Sequence, residues 1–275
     1  MKTLPGTEIR ILNKAVEKGR IRHAIFDFDG TISLLREGWE RIMEPVMVES
    51  ICGDTKPIQE IIDRVRKTID ESTGIQTIFQ MEILVGMVKE FGIVPDNRIL
   101  DAWGYKKAYN DRLMVLIRER IADLESGKKS IQDFILNGSV DFCRKLYDRG
   151  VRMYLASGTD REDVQNESKI LKIARYFQGG IYGAVGRIED FSKDKVIKEI
   201  IKNHSLYGPE VVVFGDGPVE IRNARSNGAI AVGIASDEVK GSGWNERKVN
   251  RLMDAGCDIL MPDFSDGDAL LRYLA

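Results

Sequence analysis

Two aspartates, Asp27 and Asp29, stand two residues apart at the end of the apolar run His23-Ala-Ile-Phe, and Gly30 and Thr31 follow at once. In an extended chain alternate side chains share a face, so the two acids point one way while Phe26 and Phe28 point the other. A third acid, Asp216, closes the run Glu210-Val-Val-Val-Phe-Gly, and Ser157-Gly158 closes the run Val151-Arg-Met-Tyr-Leu-Ala. If the three runs are neighbouring strands, Asp27, Asp29 and Asp216 crowd one sheet edge and need a cation. Mg²⁺ suits them, since it binds few protein carboxylates together with water and phosphate oxygens. A carboxylate is a competent nucleophile toward phosphorus, and a second one nearby can move protons to and from the departing and attacking oxygens. Ser157 and the backbone N–H groups opening the next helix can hold phosphate oxygens.

A lysine is also wanted, because charge builds on those oxygens in the transition state. The stretch Ser192-Lys193-Asp194-Lys195 offers two. Ser192 is a helix N-cap by type, which puts Lys193 at the first helical position, and a cation there opposes the helix dipole and asks for another role. Lys193 is favoured over Lys195.

The elements that must position these groups are strands alternating with helices. The runs at 23–30, 151–158 and 210–217 read as buried strands, with weaker ones at 229–236 and 257–264. Helical spacing fills 139–150, stopping at Gly150, and 194–203. This alternation predicts an α/β fold with a parallel sheet and crossover helices. Residues 34–130 break it. Ile58, Ile61, Ile62, Val65 and Ile69 mark one amphipathic helix, a second lies between Gly74 and Gly92, and a third runs from Ile99 to Leu124. A run of about 95 residues is too long for a loop. The chain therefore reads as a core domain of 1–33 and 131–275 with a helical cap, 34–130, inserted over the ligand-binding end of the sheet.

The composition sets limits. The 275 residues carry 41 Lys plus Arg against 43 Asp plus Glu, a net charge of −2, which gives no overall field for nucleic acid or an anionic membrane. No apolar stretch has the length of a signal-peptide core or a membrane span. Cys52, Cys143 and Cys257 are odd in number and far apart, as suits reduced packing residues. A cytoplasmic protein is expected, its oligomeric state left open.

Taken together, the motifs resemble those of the haloacid dehalogenase superfamily of aspartate-nucleophile phosphohydrolases, over nearly the whole chain from about residue 20. Asp27-Phe-Asp-Gly-Thr31 is similar to the first motif, Ser157-Gly158 to the second, Ser192-Lys-Asp-Lys-Val-Ile197 to the lysine motif of phosphoserine phosphatases, and Gly215-Asp-Gly-Pro-Val-Glu220 to the metal-binding fourth. The resemblance implies a Rossmann-like core with a C1 cap, as in phosphoglycolate and phosphoserine phosphatases and β-phosphoglucomutase. It implies Asp27 as nucleophile, Asp29 as acid and base, and Ser157, Gly158 and Lys193 as phosphate holders. Mg²⁺ would be bound by Asp27, Asp29 through its main-chain carbonyl, and Asp216. Many members carry an aspartate where this chain has Glu220, which could still reach the metal's water shell. The implied partner is a small phosphorylated metabolite, with no nucleic acid and no membrane. Asp29 argues against carbon–halogen cleavage. A phosphatase is the expected activity; a phosphosugar mutase, or a regulatory protein that only binds a phosphorylated ligand, shares the same residues. A phosphonatase would need a cap lysine, and an end phosphatase of nucleic acids would need a basic groove.

Other residues read as structural. Arg36, Trp39 and Arg41 follow the first motif closely, and Gln76 lies in a polar loop of the cap; Arg36 or Gln76 could reach the substrate, but packing or solvation is the simpler expectation. His23 and His204 lack ligand-spaced partners. Trp103, Tyr105 and Tyr109 have near-helical spacing and read as helix packing. The loop Gly241–Trp244 is a candidate border of the site without chemistry of its own.

Overall fold

The computed structural model describes residues 2–185 and 192–275. Its centre is a parallel sheet built from β3 (His23–Phe26), β4 (Arg152–Asp160), β5 (Gly180–Ala184), β6 (Val211–Gly215), β7 (Ile230–Ile234) and β8 (Ile259–Met261). The strands lie side by side as β8-β7-β6-β3-β4-β5, and two short antiparallel strands, β1 (Lys2–Thr3) and β2 (Arg10–Ile11), extend the β8 edge. β3 therefore sits between β4 and β6, with Phe26 level with Leu155 on one side and Phe214 on the other. The three runs that carry the candidate chemistry are thus neighbours.

These strands are buried on both faces, which is why they read as continuous apolar runs. Ala24, Phe26, Met153, Leu155, Val212 and Phe214 face one core, while Ile25, Tyr154, Val211 and Val213 face the other. On the first face Phe26 stacks on Phe214 with centroids 4.6 Å apart, and Phe142 meets Phe214 edge-on at 5.3 Å. Helices cover both faces: α5 (Ser139–Asp148), α6 (Arg161–Ile170), α7 (Lys193–Asn203), α8 (Pro218–Ser226), α9 (Glu246–Asp254) and α10 (Gly267–Leu274).

Between β3 and α5 the chain forms four helices, α1 (Trp39–Cys52), α2 (Gln59–Glu71), α3 (Thr77–Phe91) and α4 (Ala102–Glu125), which bury a separate apolar cluster centred on Met47, Ile51, Val65, Leu84 and Ile117. Helix α1 and strands β1, β2 and β5 are absent from the sequence reading. Pro45 lies within α1 and removes one helical hydrogen bond, a signal that argues locally against a helix. Gly180 and Gly183 interrupt the strand pattern of β5, and β1 and β2 are two residues each.

The helical layer is tied to the sheet layer at several points. Arg120 on α4 donates to the carbonyls of Leu34, Leu35 and Glu37, between 2.8 and 3.2 Å. Lys106 on α4 pairs with Asp160 at 2.6 Å, and Arg251 on α9 donates to Asp70 and Thr73 of the helical layer, both at 3.1 Å. The closest approach falls at Gly158, where a Cβ would stand 2.5 Å from the carbonyl oxygen of Ile75. Only glycine lets the two backbones meet there.

The three cysteines are free and buried, as expected of packing residues. His23 and His204 flank Tyr154, whose hydroxyl lies 2.9 Å from His23 Nδ1 and 3.1 Å from His204 Nε2. Burial, then the nearby His204, pulls the His23 pKa down to about 4. A folded His23 that resists protonation leaves the unfolded chain binding more protons between about pH 6.5 and 4, so its contribution to stability falls as the pH drops through that window. Urea unfolding as a function of pH should show a shallower acid-side decline for His23→Gln than for the native chain; parallel curves would remove His23 as the cause.

Candidate active site

The carboxyl ends of β3, β4 and β6 open into a cavity of about 70 Å³ roofed by the helical layer and lined by Asp27, Asp29, Ser157, Gly158, Lys193 and Asp216. Asp27 continues the ladder of β3, its N–H donating to Phe214 at 2.9 Å, and Asp29 lies in the tight turn that follows. That turn requires Gly30 at φ 72°, packed so closely on Asp216 that a Cβ would meet its carboxylate at 2.5 Å.

Each acid has its own set of partners. Lys193 is the first residue of α7, whose N-cap Ser192 accepts from the Lys195 N–H at 3.0 Å, and its ammonium donates to Asp27 Oδ1 at 2.8 Å and to Glu220. Lys195 is exposed on the same turn, so the geometry separates the two lysines. Burial raises the Asp27 pKa well above the carboxylate range; Lys193 opposes the rise, while Glu220 and Asp216 add to it. Asp29 accepts from Thr159 at 2.9 Å and from Ser157 at 3.3 Å, and burial lifts its pKa against the pull of Arg36. Its other oxygen, Oδ1, is buried without a hydrogen bond, 3.9 Å from Arg36 Nε. Asp216 is held differently: Lys248 on α9 donates to its Oδ2 at 2.7 Å and to Glu238 at 2.6 Å, and Arg251 donates to its carbonyl at 3.0 Å. Although burial works against it, the charge of Lys248 keeps the Asp216 pKa below the ordinary value.

The three acids expected to converge do so, but the protein itself already supplies two ammonium groups and a guanidinium among them. Sequence reasoning missed Lys248, Glu238, Thr159 and Glu167. Lys248 lies within an amphipathic helix, where a lysine looks like ordinary surface charge; here it is 6% exposed. Arg36 is equally buried, with Glu167 Oε1 at 2.5 Å, Glu167 Oε2 at 3.2 Å and Asp163 at 3.1 Å. Tyr109 lines the cavity in addition to packing α4, whereas the loop Gly241–Trp244 stands apart from it, with Trp244 covered by Arg10 at 3.8 Å.

Among the described residues no three His, Cys, Asp or Glu side chains gather into a ready metal cage. The donor set is smaller: the buried carboxylates of Asp27 and Asp216 on adjacent strand ends, the main-chain carbonyl of Asp29, and the buried Oε2 of Glu220, which has no hydrogen-bond partner. Few hard oxygens, with room for water and a phosphate, fit Mg²⁺ better than a softer metal.

A parallel sheet with an acid-lined crevice at a strand-order reversal, under a helical roof, defines an α/β enzyme whose ligand binds between two layers. The family model for haloacid dehalogenase-like hydrolases matches residues 21–228, and the chain belongs to that family. No protein among those with curated descriptions matches the sequence. Among solved structures, a predicted phosphoglycolate phosphatase from Haemophilus somnus superposes with a TM-score of 0.61 at 13% identity, covering 92% of this chain and 98% of that one. A β-phosphoglucomutase from Clostridium difficile gives 0.58 at 13% identity, with 88% and 91% covered. A hydrolase from Pseudomonas syringae gives 0.58 at 18%, with 92% and 99% covered. At these identities the likeness concerns the fold. No helix among the described residues is long and apolar enough to cross a membrane.

Removing one partner of a buried ion pair strands the other charge, at a cost of about 3–5 kcal/mol. Lys248→Met should therefore lower the unfolding free energy by about that amount. Adding Asp216→Asn to it should restore part of the loss. A loss in urea titrations within experimental error of zero would mean that Asp216 is compensated by other groups.

Proposed function

We propose that the protein is a Mg²⁺-dependent phosphatase of a small phosphomonoester, working through an aspartyl phosphate on Asp27. The observation that carries this reading is the Lys193–Asp27 ion pair, closed off from solvent in the same cavity as a second acid held by two hydroxyls. A nucleophile must be ionised, yet burial, Glu220 and Asp216 together outweigh Lys193 in setting the charge of Asp27. A further cation is needed. Mg²⁺ bound by Asp27, the Asp29 carbonyl and Asp216 would supply it and would also offset charge on the phosphoryl oxygens.

The chain's own residues then have distinct tasks. Asp27 attacks phosphorus in line as the bond to the leaving oxygen breaks. Asp29, its pKa lifted by burial and its carboxyl group oriented by Thr159 and Ser157, gives a proton to that oxygen. It next takes a proton from the water that cleaves the Asp27–phosphorus bond. Lys193 and Ser157, with the N–H groups beside Gly158, hold the transferring oxygens. Glu220 fixes the Lys193 ammonium, and its other oxygen, which has no hydrogen-bond partner, would be available to the water shell of a bound Mg²⁺. Residues 34–130 act as the cap that excludes bulk water, and the buried free thiols accord with a cytoplasmic setting.

The test is phosphate release from a panel of phosphomonoesters, with and without Mg²⁺. Turnover should require the metal and disappear in Asp27→Asn, which should still fold. Asp29→Ala should cost about 10²–10⁴-fold on alkyl phosphates and less on p-nitrophenyl phosphate, whose departure needs little protonation. Lys193→Ala should cost about 10²–10³-fold, and Lys195→Ala should change little. Hexose 1-phosphate consumed without phosphate release would assign the same site to a mutase.

A further inference from the structure

The lining beyond the residues assigned to the phosphate must receive whatever the phosphate is attached to. Its side chains include Arg36, Trp39, Thr73, Gln80, Tyr109 and Leu113. We infer that this wall selects a small, uncharged, hydroxyl-bearing leaving group, with the Tyr109 hydroxyl as its recognition point; the inference rests on the phosphatase reading above.

Charge comes first. Among the described residues Arg36 is the one cation of that wall, and its guanidinium is already taken by Glu167 and Asp163. Glu167 is 2% exposed, so the pair is buried on both sides. A substrate carboxylate could reach Arg36 only by displacing a bidentate buried partner, which would leave Glu167 charged and alone. On α4, Lys106 is bound to Asp160. Lys193 is occupied by Asp27 and Glu220 and belongs to the phosphate end. An ammonium on the leaving group could donate a hydrogen bond but could not accept one from a hydroxyl of the wall. A neutral hydroxyl group can do both.

Hydrogen bonding points the same way. Tyr109 is 3% exposed, it lines the cavity, and its hydroxyl makes no hydrogen bond among the described residues. Arg36 and Asp29 lie within its electrostatic reach, so it shares the cavity with the proposed proton donor. That hydroxyl is therefore available to pair with a ligand group. Gln80 adds to the match: its amide nitrogen donates to Ser72 Oγ at 3.1 Å, which leaves its carbonyl oxygen to accept from a ligand hydroxyl. Trp39 and Leu113 offer apolar surface to the carbon atoms between. A polyol or sugar hydroxyl can both donate to Gln80 and accept from Tyr109, and a carboxylate cannot donate.

The experiment compares kcat/KM of the full chain with Mg²⁺ on glycerol phosphate and erythritol phosphate, on phosphoglycolate and phosphoserine, on phosphoethanolamine, and on p-nitrophenyl phosphate. The polyol phosphates should exceed the three charged alkyl compounds by about tenfold or more, the scale at which a site built around one hydroxyl discriminates. Tyr109→Phe should lower the polyol-to-aryl ratio about tenfold, chiefly through KM, because the aryl ester has no hydroxyl to lose. Glu167→Gln, which loosens the hold on Arg36, should raise the phosphoglycolate-to-polyol ratio. If p-nitrophenyl phosphate is turned over but an acid or phosphoethanolamine is preferred, or if Tyr109→Phe leaves the ratio unmoved, the inference is overturned while the phosphatase stands. If p-nitrophenyl phosphate is untouched as well, the phosphatase reading fails and the inference with it.

Discussion

Carboxylates buried side by side cannot stay charged without counter-charge, and the whole carboxyl edge of this sheet is organised around that constraint. Two like charges about 4 Å apart repel by roughly 4 kcal/mol at the effective dielectric of a protein surface, and by more in its interior. The structure answers with three cations, each bridging one acid of the strand ends to a supporting acid elsewhere. Lys193 joins Asp27 to Glu220, Lys248 joins Asp216 to Glu238, and Arg36 lies between Asp29 and Glu167. Among the described residues no two of the strand-end acids share a cation. Three cations facing six carboxyl groups leave the cluster with an excess of acid before any ligand arrives, and Asp29 and Glu220 each keep a buried oxygen without a hydrogen bond.

The rest of the fold follows from delivering those cations. α7 brings Lys193 at its first residue, α9 brings Lys248, and the link between β3 and α1 brings Arg36. A helix placed against each neighbouring strand is what a right-handed parallel crossover provides, so the sheet that lines up the acids also lines up their partners. The helical layer completes the enclosure. Glycine at 158 lets its backbone touch the strand end, and Arg251 ties Asp70 and Thr73 to the carbonyl of Asp216, so the position of the roof is linked to the position of a candidate metal ligand. Closure of such a roof keeps water from a phosphorylated aspartate and strengthens every charge interaction beneath it.

The supporting residues also explain why one family hosts different chemistry on one scaffold. In the phosphatase proposed above the strand-end acids and Lys193 would serve the phosphoryl group, and specificity would fall to side chains such as Arg36 and Tyr109, whose availability depends on what else they bind. An arginine in a cavity wall suggests an anion site until its own carboxylates are counted.

What the sequence determined by itself was whatever depends on short-range pattern. Apolar runs ending in Asp27, Ser157 and Asp216 marked strands and their reactive ends, helical spacing marked α2 to α5 and α7, and Ser192 marked the first turn that carries Lys193, because side-chain direction repeats every two or 3.6 residues and needs no knowledge of the fold. Pro45 hid α1 for the same reason, since a local breaker was outvoted by packing against α2, α3 and α4. Only the tertiary structure decided which charges meet. Lys248 lies 32 residues from Asp216, and Glu167 lies 131 from Arg36. Lys248 on α9 and Glu167 on α6 are spaced like surface charges of amphipathic helices, and Arg36 stands in a loop. Their burial and pairing arise from crossovers that place distant segments at one edge, where the cost of an isolated buried charge selects the partner.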